Sequence, residues 1–304
     1  MNFIEFPINQ SLIRTFLYNG EEREYCYRKI YLTKIAKTIK SEKTIPMLSG
    51  SYFETQCLGK SSGKPINDLP RKKLTKKIIA ENTVRKLKGE KLLKGGKYLD
   101  HLRIDDQIYR FKTLIRKHQI IISDLNVQVP IYTRWDKDED IMLKAELDIF
   151  PTTILINGEL NAAIIDLKLT ADIHSEYGEY CYGKPEYLDL IQAKMYHYVI
   201  RNIDPKLNPN LSELISGSIQ NLINDNRVQF LLWIFNYKKT VLEDKFIQVK
   251  WDGNKQAELN ESIRKTIGIL NMGEQQEWPT NPSYDLCKKC PYTSCPDKLQ
   301  IQSV

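Results

Sequence analysis

No run of about eighteen apolar residues occurs in the chain, so no membrane-spanning helix is expected. The opening residues, MNFIEFPINQSLIRTF, lack the basic start, apolar stretch and small-residue cleavage site of a secretory signal, which predicts a cytoplasmic protein. Cysteine is scarce. Six in 304 residues cannot build a disulfide scaffold, and three of them crowd into nine residues near the C-terminus, a spacing that suggests metal more than disulfide. The four histidines, His101, His118, His174 and His197, form no recognisable ligand set. There is no internal repeat and no low-complexity tract. What is present is enough for a core: 41% hydrophobic against 27% charged residues excludes a mainly disordered chain. At roughly 100–200 residues per domain, the length allows one large domain or two modest ones.

The net charge of +7 is concentrated in one place. Between residues 60 and 97 there are thirteen Lys and Arg against three Asp and Glu, so the rest of the chain is slightly acidic. A dense basic stretch beside a near-neutral body is the footprint of a polyanion-binding surface, and also of a solvated lysine-rich helix face.

Residues 1–45 read as mostly helical, anchored by Leu12, Phe16, Tyr25 and Tyr31. A short helix over 47–59 ends at Gly59, and 61–70 reads as a loop. A basic helix over 71–94 stops at Gly95-Gly96, and 99–118 is again helical. Strand character then appears at 127–135, 141–150 and 160–169, with an Asn-Gly turn at 157–158. A helix over 186–201, a buried strand over 228–235, a partner strand over 241–251 and a final helix over 255–270 follow. The order predicts an α/β or α+β fold: a central sheet flanked by helices, with helical additions. Three regions are expected: a helical N-terminal region over 1–125, a core over 126–275 and a cysteine tail over 276–304 that packs back on the N-terminal region.

Two strands carry the chemistry. Alternation puts Leu143, Ala145, Leu147 and Ile149 on one face and Lys144, Glu146 and Asp148 on the other. On the next strand Ile164, Asp166 and Lys168 share a face. The Asn-Gly turn pairs these strands at about 5 Å, so Asp148 and Asp166 approach each other with Lys168 alongside. Carboxylates that close repel unless a cation lies between them, and an oxygen-rich site suits Mg²⁺ or Mn²⁺. Such an ion lowers the pKa of bound water and neutralises charge on a phosphate. A lysine beside it can orient or deprotonate that water. On the following helix Gln192 and Tyr196 are four apart and share a face. Cys287, Cys290 and Cys295 form a C-x₂-C-x₄-C set whose fourth ligand must come from elsewhere, with Cys26, Cys57 and Cys181 as candidates. From spacing alone, zinc and iron–sulfur are equally open.

In order, Gly50 to Glu54, Asp148, Asp166-Leu167-Lys168 and Gln192 to Tyr196 resemble the motifs of the PD-(D/E)XK nuclease superfamily, in its RecB-like branch. The resemblance covers about half of the chain. It implies a restriction-endonuclease-like mixed sheet. It also implies metal binding by Glu54, Asp148, Asp166 and the Leu167 carbonyl, with Lys168, Gln192 and Tyr196 completing the catalytic set. It implies a DNA nuclease, an exonuclease on single-stranded or duplex ends, yielding 5′-phosphates and 3′-hydroxyls. A structure-selective endonuclease on the same fold and a non-catalytic DNA-binding subunit are the alternatives. The segment 175–187 would be a flap or a substrate-contacting loop. A subset of the branch, including the CRISPR adaptation nuclease, holds a [4Fe–4S] cluster with one early and three late cysteines. The context of Cys26 is similar, which implies ligation by Cys26, Cys287, Cys290 and Cys295, with Zn²⁺ as the alternative metal. A bacterial or phage origin and a recombination or CRISPR-adaptation protein partner are further implications.

Overall fold

The computed structural model describes residues 6–40, 44–60, 66, 76–89, 99–211, 214–239 and 241–281, with positions 283, 286–287, 290–292 and 295 of the tail. Of the basic segment, positions 64, 71–73, 91, 94 and 97 lie outside the described residues, as does the Gly95-Gly96 stop. Among the described residues no helix is long and apolar enough to cross a membrane.

The chain opens with α1 (Gln10–Phe16), capped by the Asn9 side chain, which accepts from the Leu12 N–H. The expected mostly helical run is then interrupted. Strands β1 (Leu17–Tyr18) and β2 (Glu21–Glu22) form a small hairpin. Asn19 and Gly20 at its tip both have positive φ, the geometry a two-residue hairpin turn demands. The short helix α2 (Tyr27–Ile30) follows. Helix α3 (Ile45–Leu58) has Pro46 in its first turn and ends on Gly59 in the left-handed conformation, as its sequence requires. Helix α4 (Lys76–Leu87) stops earlier than the expected 94, at a turn where Gly89 takes φ 66°. Helix α5 (Leu99–Lys117) leads into the sheet.

Strands β3 (Val127–Trp135), β4 (Asp138–Ile156) and β5 (Glu159–Thr170) form an antiparallel meander. Asn157 and Gly158, both at positive φ, make the β4–β5 turn. The chain leaves β5 through a 3₁₀ turn (Pro185–Tyr187), α6 (Ile191–Arg201) and α7 (Gly217–Asn224). It returns as β6 (Val228–Asn236), parallel to β5. Strand β7 (Asp244–Val249) pairs antiparallel to β6, and α8 (Gly253–Gln275) closes the fold. The result is a five-stranded mixed sheet in the order β3-β4-β5-β6-β7.

Both faces of this sheet are covered, which explains the unbroken apolar runs of β5 and β6. Val228, Phe230, Leu232 and Ile234 enter one core with residues of α1, α6 and α8. Leu231, Trp233 and Phe235 enter the other with Phe53 of α3 and Phe111 of α5. Helices from the first 125 residues therefore pack into both cores. Gln107 of α5, wholly buried, donates to the Asn236 carbonyl at 2.6 Å and fixes that helix to the end of β6.

Strict alternation fails at one place in β3 and β4. Gln128 takes φ 51°, so Val127 and Val129 enter opposite cores. Opposite it, Leu147 stays in the first core while Ile149 joins Val127 in the second, instead of sharing the Leu147 face. The β4–β5 register also shifts between Ile149 and Thr152.

His197 follows Tyr196 on α6, where the sequence favours a partly exposed helical histidine over a substrate contact, yet it is completely buried. Its Nε2 lies 3.2 Å from the Val249 carbonyl and its ring against Trp251. Burial pushes its pKa down to about 4, aided by Arg201 and Lys255 and opposed by the Val249 contact. The unfolded chain takes up this proton near 6.5 and the folded chain only near 4, so stability is untouched above that window and lost as pH falls through it. The loss from this group by about pH 4.5 is ~2–3 kcal/mol. His197→Gln is therefore expected to lose less stability than the natural chain between about pH 7.5 and pH 4.5 in urea denaturation, and equal losses would refute the assignment.

Candidate active site

Strands β4 and β5 pair only from Ile149 and Ile165 outward to their turn. On the other side they diverge, and the fork exposes backbone groups that a continuous ladder would have used. Side chains satisfy them. The Asp148 carboxylate accepts from the Leu167 N–H at 2.8 Å. The Tyr196 hydroxyl donates to the Glu146 carbonyl at 2.6 Å. Residues ahead of α1 enter beside β4 on this side, with the Ile8 N–H on the Met142 carbonyl and the Lys144 N–H on the Ile8 carbonyl.

The fork opens into a cavity of about 460 Å³ whose lining brings together every side chain expected at the site: Glu54, Asp148, Asp166, Lys168, Gln192 and Tyr196, along with Leu167. Asp166 is 1% exposed. Its Oδ2 is in contact with the Lys168 ammonium, and its Oδ1 accepts from Gln192 Nε2 at 2.6 Å. Gln192 also reaches the Tyr196 hydroxyl at 3.1 Å, so α6 grips both the acid of β5 and the backbone of β4. Glu54 joins from α3 through Gln128, whose Nε2 donates to Glu54 Oε1 at 2.5 Å and to Asp148 Oδ1 at 2.9 Å.

The electrostatics follow from burial. Desolvation, then the Asp166 and Glu54 charges, push the Asp148 carboxyl well above the usual range, with Lys168 offsetting only part. Asp166 is also raised by burial, against Lys168 and Gln192. Burial by itself would lower the Lys168 ammonium, but Asp166 and Asp148 outweigh it and raise the group. Lys168 is thus a held cation, suited to orienting water and stabilising an oxyanion more than to taking a proton.

Among the described residues, no three His, Cys, Asp or Glu side chains converge closely enough to hold a metal ion. The Lys168 ammonium and the Gln128 amide lie against the carboxylates where an ion would have to enter. The donor chemistry still fits a hard cation. Two buried carboxylates share one lysine, Asp166 Oδ2 has no hydrogen-bond partner beyond that contact, and Lys168 only partly offsets the burial and negative neighbours of Asp148.

Sequence reasoning missed Gln10, Ser11, Arg14 and Lys34, which line the same cavity. Glu179 and Tyr180, from the segment 175–187 read as a flap or substrate-contacting loop, line it too. Arg14 is 3.4 Å from Asp189 and lies over the Tyr180 ring. Gln128 had one sequence signal, a lone amide between two valines at the start of a strand.

Among the described residues, which include Cys26, Cys287, Cys290 and Cys295, no three cysteines converge closely enough to hold a metal. Cys57 is buried in the second core and Cys181 in the first. Cys26 is half-buried beside the incoming tail, where the Arg28 N–H donates to the Pro279 carbonyl and Asn281 Nδ2 to the Tyr25 carbonyl. Within the tail the Cys290 N–H donates to the Cys287 carbonyl at 3.1 Å.

No protein-family model matches the chain, and no curated protein matches it. A solved structure from Eubacterium rectale, described as a candidate exonuclease, superposes with a TM-score of 0.54. The two are 17% identical over 95% of this chain and 88% of that one. The likeness is one of fold, the mixed central sheet with helices on both faces.

Tyr196→Phe removes one hydroxyl and takes this donor from the part-buried Glu146 carbonyl. An unfolding free energy lowered by about 1–2 kcal/mol in urea is expected, and an unchanged midpoint would show that the fork does not depend on this bond.

Proposed function

We propose that the protein is a divalent-metal-dependent DNA nuclease, acting as an exonuclease on DNA ends to leave 5′-phosphates and 3′-hydroxyls. The observation that carries this reading is the meeting of Asp148, Asp166 and Lys168 in one cavity at the strand fork. The description of the Eubacterium rectale protein as a candidate exonuclease supports it at the level of fold. Glu54, Asp148, Asp166 and the Leu167 carbonyl would hold Mg²⁺ or Mn²⁺, which when bound lowers the pKa of water and offsets phosphate charge. Lys168, kept protonated by its two carboxylates, orients the attacking water and stabilises charge building on the phosphoryl oxygens. Gln192 and Tyr196 fix Asp166 and the β4 backbone and so would set the acids against the scissile strand. The basic segment 60–97 would follow the DNA backbone without reading bases, giving affinity that falls steeply with salt.

The four cysteines Cys26, Cys287, Cys290 and Cys295 are proposed as the ligands of a structural [4Fe–4S] cluster, with zinc as the alternative. The crossing of the tail with the Cys26 segment supports this.

Asp166→Ala and Lys168→Ala are each expected to lower cleavage of end-labelled DNA in Mn²⁺ by at least about a hundredfold, with EDTA abolishing it in the natural chain. Undiminished cleavage by either purified variant would end the assignment. For the cluster, anaerobically purified protein is expected to show iron–sulfur absorption. Cys287→Ala should be colourless and poorly folded, and a soluble, fully active Cys287→Ala protein would exclude a structural role.

A further inference from the structure

Gln128 lies opposite Asp148 in the β3–β4 pair and holds a left-handed backbone, φ 51°, that a non-glycine residue seldom adopts. Its Nε2 stands between two carboxylates from different elements, 2.5 Å from Glu54 Oε1 and 2.9 Å from Asp148 Oδ1. Its Oε1 is shut away from solvent and has no partner among the described residues.

This is an unusual way to place an amide. A buried carbonyl normally finds a donor, and here it has none while the amino end serves two acceptors. The orientation follows from the two carboxylates it faces. Turned over, the side chain would set a third oxygen against two carboxylates. With a divalent cation between the carboxylates the preference reverses, because amide hydrogens would then face the cation and the oxygen would be a suitable hard ligand.

We infer that Gln128, whose amide hydrogens bridge Glu54 and Asp148, turns its side-chain amide over on cation binding so that Oε1 becomes an oxygen ligand beside both carboxylates. The inference rests on the metal-dependent reading of the site. It assigns to Gln128 part of the affinity of that site. The left-handed backbone serves this role: reversing the side-chain alternation at Gln128 sends its neighbours into opposite cores while its own side chain spans from β3 to α3.

Calorimetric titration of Mn²⁺ into the full chain tests this without reference to cleavage. Gln128→Glu keeps an oxygen and removes the amide donor, and Gln128→Leu keeps the bulk and removes both. Gln128→Glu is expected to bind Mn²⁺ about tenfold more tightly than the natural chain and Gln128→Leu about tenfold more weakly. Without metal Gln128→Glu should also melt lower, with a larger rise in Tm on adding Mn²⁺. Equal affinities in all three proteins, or tighter binding by Gln128→Leu, would overturn the inference and leave the amide a mere spacer. If Gln128→Leu does not fold, the affinity of Gln128→Glu decides alone, unchanged or weaker binding counting against the inference. A natural chain that binds no Mn²⁺ removes the metal-dependent function itself. A natural chain that binds Mn²⁺ with variants that bind it equally removes only the role of Gln128.

Discussion

Asp148 and Asp166 lie out of water on two strands that part beside them, and one lysine faces both. Two such anions cannot share a low-dielectric pocket without opposing charge or directed donors. The surrounding structure supplies these from every side: the Leu167 N–H and Lys168 from β5, Gln128 from β3 and Gln192 from α6. The donors come from three elements, so the carboxylate pair dictates how β3, β5 and α6 are set around β4. The supply is incomplete, since Asp148 is still pushed well above an ordinary carboxylate. On the proposed function, a divalent cation would supply the rest of that opposing charge.

The two cores make this arrangement affordable. Trp233, Phe53, Phe111 and Phe235 pack on one face of the sheet, and Phe16, Phe230 and Tyr198 on the other. Full burial of a large apolar side chain contributes about 1.5–3 kcal/mol, so a few such residues offset the burial of charge at the fork. Both layers also carry site residues. Helix α3 delivers Glu54 with the turn of helix that buries Phe53, and α6 delivers Gln192 and Tyr196 from the helix that buries Met195 and Val199.

Much of this was legible from residue order. The Asn-Gly turn and the alternating strands placed Asp148 beside Asp166, and the four-residue spacing placed Gln192 with Tyr196. The second Asn-Gly, at 19–20, carried the same turn chemistry and was passed over inside an expected helix. The face of Ile149 was misjudged because alternation assumes regular backbone, and the left-handed Gln128 opposite Asp148 breaks it. His197 looked exposed because a helix pattern does not reveal that β7 and Trp251 cover that side.

The amino-acid sequence by itself determined which residues could do the chemistry and on which kind of element each sits, since periodicity and turn residues are local properties of the chain. Tertiary structure alone decided that the strands fork at these acids, that Gln128 spans Glu54 and Asp148, and that Arg14 and Lys34 line the same cavity. Those outcomes depend on contacts between segments tens to hundreds of residues apart. Their geometry is set by the packing of two cores against one sheet, which no local pattern encodes.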